Sequence, residues 1–214
     1  PLFGFALRAK EAAGLYLTGR RRPFAFQGVK LRLGPGRLLP GKEVAPAPPP
    51  PPGPFAPLEA RRDYLDHLRK SAQGLALKRG VVYLDAMGGA GGGILGQVLK
   101  RLEAPVELRE LHPLPHPLFY GVAPDPRPEH LRTLRLLLRE AKPPALGLAL
   151  DGDADRLGVY LPGGEALPGD QALARLREAA QGREVEALGE GAYRFPWHLE
   201  EPDPFLAALL LMGV

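Results

Sequence analysis

Ala145-Leu-Gly-Leu-Ala-Leu-Asp-Gly-Asp-Ala-Asp-Arg-Leu-Gly-Val-Tyr160 decides how this chain is read. An apolar run ends abruptly in three carboxylates, Asp151, Asp153 and Asp155, followed by Arg156; a second apolar run, Leu157 to Leu161, begins at once. Apolar runs this short, bounded by turn residues, read as buried strands. The acidic loop then sits at a strand end, where open α/β sheets collect ligands. Carboxylates this close repel one another unless a cation neutralises them. Hard oxygen ligands around a flexible Gly152 suit Mg²⁺ or a similar divalent ion. A solvated acidic turn is the simpler alternative. An EF-hand is excluded, because it needs a closing Glu at fixed spacing and flanking helices, whereas an apolar strand stands here.

Outward from this loop, the preceding segment alternates helices with buried strands. Leu58 to Lys70 carries apolar residues at 58, 64, 65 and 68, the pattern of an amphipathic helix with His67 on its surface. Val81 to Asp85 reads as a buried strand, the glycine run to Gly93 as a turn, and Ile94 to Leu102 as a helix. A glycine loop between strand and helix can seat phosphate, but the Lys-Ser/Thr of a nucleotide-binding loop is missing, so it is read as structural. Val106 to Glu110 is the next strand. In the crossover that follows, Pro113, Pro115 and Pro117 forbid the helix that would aim His112 and His116 at one metal. His130 to Ala141 places Leu131, Leu134, Leu137 and Leu138 on one helical face. The expected fold class is α/β, a largely parallel mixed sheet with flanking helices.

Composition bounds the remaining classes. The 214 residues contain no cysteine, which excludes disulfides, thiolate metal sites and cysteine nucleophiles. The absence of Asn, the excess of Arg over Lys and the 26 Pro fit a heat-adapted source, as GC-rich coding bias also would. The apolar tail Phe205 to Met212 is too short to span a membrane. With no signal peptide at the start, a cytoplasmic protein with no membrane partner is expected. Residues 1–44 hold nine basic against two acidic residues, so a chain of net charge +4 has a basic opening segment and a mildly acidic body. The basic residues lack the interleaved aromatics of a nucleic-acid motif, which points to a phosphorylated small molecule rather than nucleic acid.

The acidic hexapeptide Asp151 to Arg156 resembles the metal loop of the α-D-phosphohexomutases, the phosphoglucomutase and phosphomannomutase family. Pro124-Asp125-Pro126 and Pro128-Glu129 resemble that family's proline-rich crossover. Residues 58–161 match its second domain. Upstream, Thr18, Pro23, Gly28 and Lys30 keep the spacing of the family's catalytic loop and Gly-x-Lys triplet. The resemblance implies Mg²⁺ on Asp151, Asp153 and Asp155, proton transfer at Lys30, and substrate contacts from Arg21, Arg22, Arg156 and Glu190. It also implies that Arg20 stands where the family has its phosphorylated serine. A guanidinium offers only donors and cannot carry that phosphoryl group. The one serine of the chain, Ser71, ends a predicted helix elsewhere. Downstream, Gly189-Glu190-Gly191-Ala192-Tyr193 lies on the family's sugar-reading loop, with Ala192 and Tyr193 departing from its pattern.

The expected organisation is a partial domain-1-like segment at 1–44, a polyproline II linker at 45–57, the α/β domain at 58–161 and a truncated domain-3-like segment at 162–214. Most of a third domain and all of a fourth are expected to be missing. Three functions stay open. One is a reduced phosphohexomutase homologue that binds Mg²⁺, a sugar phosphate or phosphate, without mutase turnover. Another is a scaffold or regulatory protein, with Arg20 paired to the acidic cluster in the metal's place and another protein chain as partner. The last is an enzyme completed by a second chain.

Overall fold

The computed structural model describes residues 1–18, 28–34, 38–43, 53 and 56–214. In chain order the elements are α1 (Leu2–Lys10), β1 (Gly14–Thr18), β2 (Gly28–Arg32), β3 (Leu38–Leu39), α2 (Arg61–Ser71), β4 (Gly80–Asp85), α3 (Ile94–Arg101), β5 (Val106–Leu111), α4 (Arg132–Glu140), β6 (Ala145–Leu150) and β7 (Leu157–Tyr160). They continue with α5 (Gly169–Ala179), β8 (Glu186–Ala187), β9 (Tyr193–Phe195), β10 (Leu199–Pro202) and α6 (Pro204–Leu211). The expected sequence of helix, strand, helix, strand, helix, strand, loop, strand is realised from α2 to β7. The polyproline expectation falls almost wholly outside the described residues.

The central sheet has the order β5-β4-β6-β7, with β4 parallel to both β5 and β6 and only β7 antiparallel. Period-two alternation sorts its side chains into two layers. Val82, Leu84, Leu148, Leu150, Leu157 and Val159 face the main core, which is shared with α2, α3, α5 and α6. Tyr83, Ala149 and Tyr160 face a smaller core closed by Leu131, Leu134 and Leu138 of the α4 region. Gly147 lets α4 lie close, because a Cβ there would overlap the Leu138 side chain. β6 and β7 are joined by the acidic loop, which therefore projects from the end of a strand buried on both faces.

Two three-stranded antiparallel sheets flank this body, β1-β2-β3 and β10-β9-β8. By its residues Leu15 to Thr18 reads as a buried strand and Gly14 as the stop of the helix before it. In β1 one face is open instead, with Leu15 and Leu17 55% and 69% exposed, while the other turns toward the acidic loop. The helix closes earlier, at Glu11 in the left-handed region (φ 49°), and Gly14 opens β1. Its lack of a side chain there makes room for α1, since a Cβ would come within 2.7 Å of the Phe3 ring.

The apolar tail becomes α6, every residue of which is buried. A helix that is apolar all round is stable only inside a core. No helix among the described residues is long and apolar enough to cross a membrane. Asp203 caps α6 by accepting hydrogen bonds from the N–H groups of Phe205 (2.9 Å) and Leu206 (3.2 Å). Its other carboxylate oxygen accepts from Tyr64 Oη–H and lies against His198 Nε2, both at 2.8 Å. With Nε2–H facing the carboxylate, His198 Nδ1 is left to accept from Ser71 Oγ–H at 2.7 Å. The lone serine is thus a structural partner of the buried His198–Asp203 pair.

Burial alone would raise the Asp203 pKa, but the hydrogen bonds from His198 and Tyr64 hold it below the usual carboxylate value. Its contribution to stability is complete above the unfolded-state pKa of about 3.9 and is lost as pH falls through the lower folded value. Urea denaturation should show Asp203→Ala costing roughly 3–5 kcal/mol near neutral pH, the scale of breaking a buried pair. Below about pH 4, wild type should lose stability more steeply than Asp203→Asn.

Candidate functional site

The acidic loop folds back on its own first carboxylate. Asp151, buried at the end of β6, accepts on Oδ1 the N–H groups of Asp155 (2.9 Å) and Arg156 (3.2 Å). Ala154 takes a left-handed conformation (φ 53°) to make the turn. Burial, followed by the charge of Asp155, pushes the Asp151 carboxyl up to about 8. The glycine-rich loop after β4 supports this turn from below, as its structural reading anticipated. Ala90 N–H donates to the Gly152 carbonyl at 3.0 Å. A Cβ at Gly89 would come within 2.7 Å of that same carbonyl oxygen.

Asp153 is held by the first sheet. In the β1–β2 register Tyr16 lies opposite Lys30 and Thr18 opposite Gly28. Alternation then puts Tyr16, Thr18, Lys30 and Arg32 on one face. Thr18 Oγ1 lies 2.6 and 2.7 Å from the two Asp153 oxygens. Lys30 Nζ is 2.9 Å from Asp153 Oδ2 and 3.7 Å from Asp155 Oδ2. Tyr16 lies beneath Lys30, its ring centre 5.6 Å from Nζ. Burial and then the charges of Asp153 and Asp155 raise the Tyr16 hydroxyl pKa above its ordinary value. On the same face Arg32 Nη1 pairs with Glu201 Oε1 of β10 at 2.8 Å.

Two cavities flank the loop. The first, of about 500 Å³, is lined by Tyr16, Lys30, Asp153 and Asp155 at its polar end and by Leu2, Phe3, Ile94 and Phe205 at its apolar end. The second, of about 440 Å³, is lined by Arg127, Arg156, Tyr160, Glu190 and Tyr193 among others. At this second cavity Arg127 Nη2 lies 3.7 Å from Glu190 Oε2, and Arg156 Nη1 donates to the Glu190 carbonyl at 3.3 Å. The structure therefore brings Lys30 together with Asp153 and Asp155, and Arg156 together with Glu190. Asp151 lines neither cavity. Arg20, Arg21 and Arg22, and with them the expected pairing of Arg20 with the acidic loop, lie outside the described residues.

Sequence reasoning gave Thr18 only as a matched spacing, with no contact assigned, and missed Tyr16 and Arg127. Strand alternation couples Thr18 and Tyr16 to Lys30 and could have found both. Arg127 carried no signal, since only the fold brings it beside Glu190.

The Mg²⁺ implied by the resemblance would rest on Asp151, Asp153 and Asp155. Among the described residues no three metal-ligating side chains converge on one point. Asp151 Oδ1 is engaged by backbone N–H groups, Asp153 by Thr18 and Lys30, and Asp155 turns partly to solvent. The three carboxylates are hard oxygen donors of the kind Mg²⁺ takes, and they would turn from these partners to hold it.

Residues 62–164 match the family model described as phosphoglucomutase/phosphomannomutase, alpha/beta/alpha domain II. Over these residues the chain carries a phosphohexomutase second domain, and the comparisons support its place in the α-D-phosphohexomutase family. It is 30% identical over 184 residues to a phosphoglucomutase of Neisseria meningitidis serogroup B, covering 80% of this chain and 38% of that protein. It is 26% identical over 209 residues to a Pyrococcus abyssi protein assigned provisionally as a phosphoglucosamine mutase, covering 89% of this chain and 45% of that protein. A crystal structure from Thermus thermophilus, assigned provisionally as a phosphomannomutase, superposes with a TM-score of 0.81 at 29% identity. That superposition covers 100% of this chain and 62% of the other. The chain thus spans under half the length of these two curated relatives.

Thr18→Val removes the hydroxyl between the Asp153 oxygens while preserving shape. It should lower unfolding free energy by about 1.5–3 kcal/mol, the scale of a hydrogen bond to a charged group, as read by urea denaturation.

Proposed function

We propose that this chain binds a hexose phosphate, or phosphate itself, in the second cavity and does not interconvert sugar phosphates as a mutase. The observation that carries this reading is the grouping of Arg127, Arg156 and Glu190 around one cavity of about 440 Å³. Two guanidiniums supply the forked donors that suit a phosphate. A half-free carboxylate beside them can accept from sugar hydroxyls, and the volume falls within the range of small-molecule sites. The names of the relatives, phosphoglucomutase and phosphoglucosamine mutase, favour a phosphorylated hexose as the ligand.

Turnover is a separate matter, because function resides in site residues rather than in the fold. The position matching the family's phosphorylated serine is Arg20, and a guanidinium has no hydroxyl to accept or return a phosphoryl group. Mg²⁺ is not required by this reading, since Arg127 and Arg156 supply the positive charge.

A second reading, a scaffold that engages another protein chain, is favoured by the open face of the first sheet, where Leu15, Leu17 and Val29 are all more than half exposed. Exposed aliphatic groups gathered on one sheet face mark association surfaces. Under that reading, sedimentation of wild type with its partner should show a complex that Leu17→Glu abolishes, with sugar-phosphate binding unchanged.

For the first reading, calorimetry should show glucose 1-phosphate and inorganic phosphate binding to wild type. Arg156→Ala should weaken both by about tenfold or more, the scale of losing one charge-assisted contact. A coupled assay should detect no glucose 6-phosphate. Sustained conversion of glucose 1-phosphate would contradict the proposal, as would unchanged binding by Arg156→Ala.

A further inference from the structure

The end of the central sheet opposite the acidic loop opens into a third cavity, of about 250 Å³. Its floor is apolar: Val82, Leu146, Val159 and Leu161 on the sheet side, Leu211 and Met212 at the end of α6, all within the main core or packed against it. Lys78 and Arg79, just before β4, and Arg175 of α5 are exposed and form its rim. No aspartate or glutamate lines it. Arg32, Arg101, Arg109, Arg127 and Arg194 each meet a carboxylate elsewhere in the molecule. Among the described residues Lys78, Arg79 and Arg175 form no ion pair and no side-chain hydrogen bond. The carbonyls of Ala208, Leu210 and Met212 at the end of α6 are taken by the backbone N–H groups of Met212, Gly213 and Lys78. The three cationic heads are therefore left over.

We infer that this cavity binds a small amphiphilic anion, an oxyanion head on a short aliphatic chain. Arg79, Arg175 and Lys78 take the head, since guanidinium forks suit carboxylate and phosphate oxygens alike. Val159, Leu161 and Met212 take the chain, which gains by leaving water. A volume below the usual range of drug-sized sites limits that chain to a few carbons. The site is separate from the one proposed for sugar phosphate, because none of its basic residues lines the cavity of Arg127 and Arg156.

A carboxylate and a phosphate ester both supply such a head, and calorimetry of the full chain separates them. The probes are octanoate and octyl phosphate, kept below micelle-forming concentrations. Binding of octanoate alone assigns a carboxylate, binding of octyl phosphate alone a phosphate ester, and binding of both an oxyanion of either kind. Octanol and acetate, which each lack half of the ligand, should bind at least about tenfold more weakly. Binding of neither probe overturns the proposal, as does octanol binding as tightly as the anions. Location is read by NMR with ¹³C-labelled methionine methyls. The chain has two methionines, Met212 on the cavity floor and Met87 in the smaller core. The bound anion should move the Met212 resonance and leave that of Met87 in place; an unmoved Met212, or equal movement of both, overturns the site. The double variant Arg79→Ala/Arg175→Ala removes both forks from exposed positions and should weaken binding about tenfold or more. Unchanged affinity overturns the role of the rim. Failure on any of these counts leaves the phosphate reading of Arg127 and Arg156 standing.

Discussion

Negative charge gathered at the end of a buried strand has to be answered, and among the described residues Lys30 meets Asp153 at 2.9 Å. Much of the site's geometry depends on that requirement. β6 is buried on both faces, so the turn leaving it emerges from a low-dielectric interior where unpaired carboxylates are costly. Asp151 is relieved by the backbone N–H groups of Asp155 and Arg156. Asp155 is relieved by partial solvation, with a 37% exposed side chain. Asp153, only 12% exposed, needs a partner from another element. The first sheet supplies it, and the face it presents to the loop is thereby determined.

A different buried carboxylate ties α2 to α6. Asp203 caps α6, receives Tyr64 from α2 and pairs with His198, which in turn reaches Ser71. Residues from two distant stretches of sequence thus converge on one fully buried group. The core shows the same continuity, because one cluster of buried side chains runs from Tyr64 to Met212. The segment after β7 packs into the body of the α/β sheet through α5 and α6 rather than standing apart from it.

The central sheet was readable because local and global signals agree there. Short apolar runs, a glycine turn and a leucine-lined helix each have their own period, and each became the element that its period implies. The acidic loop was readable for the same reason: three carboxylates between two apolar runs leave little choice of location. What resisted reading depended on tertiary partners. Nothing local in Leu15 and Leu17 distinguishes a buried strand from one with an open face, and only the absence of a covering layer among the described residues decides it. Gly14 looked like a helix stop, yet it is glycine because Phe3 and Leu7 pack where its Cβ would be. Asp203, Arg127 and the lysine that answers Asp153 owe their importance to residues far away in the chain. Family resemblance supplied the fold. It did not supply the contact of Lys30 with Asp153, which only the folded chain shows.

The most direct measurement is a crystal structure grown with Mg²⁺ and glucose 1-phosphate. The account predicts the sugar phosphate between Arg127, Arg156 and Glu190. Sugar phosphate bound elsewhere, with that cavity empty, would contradict it.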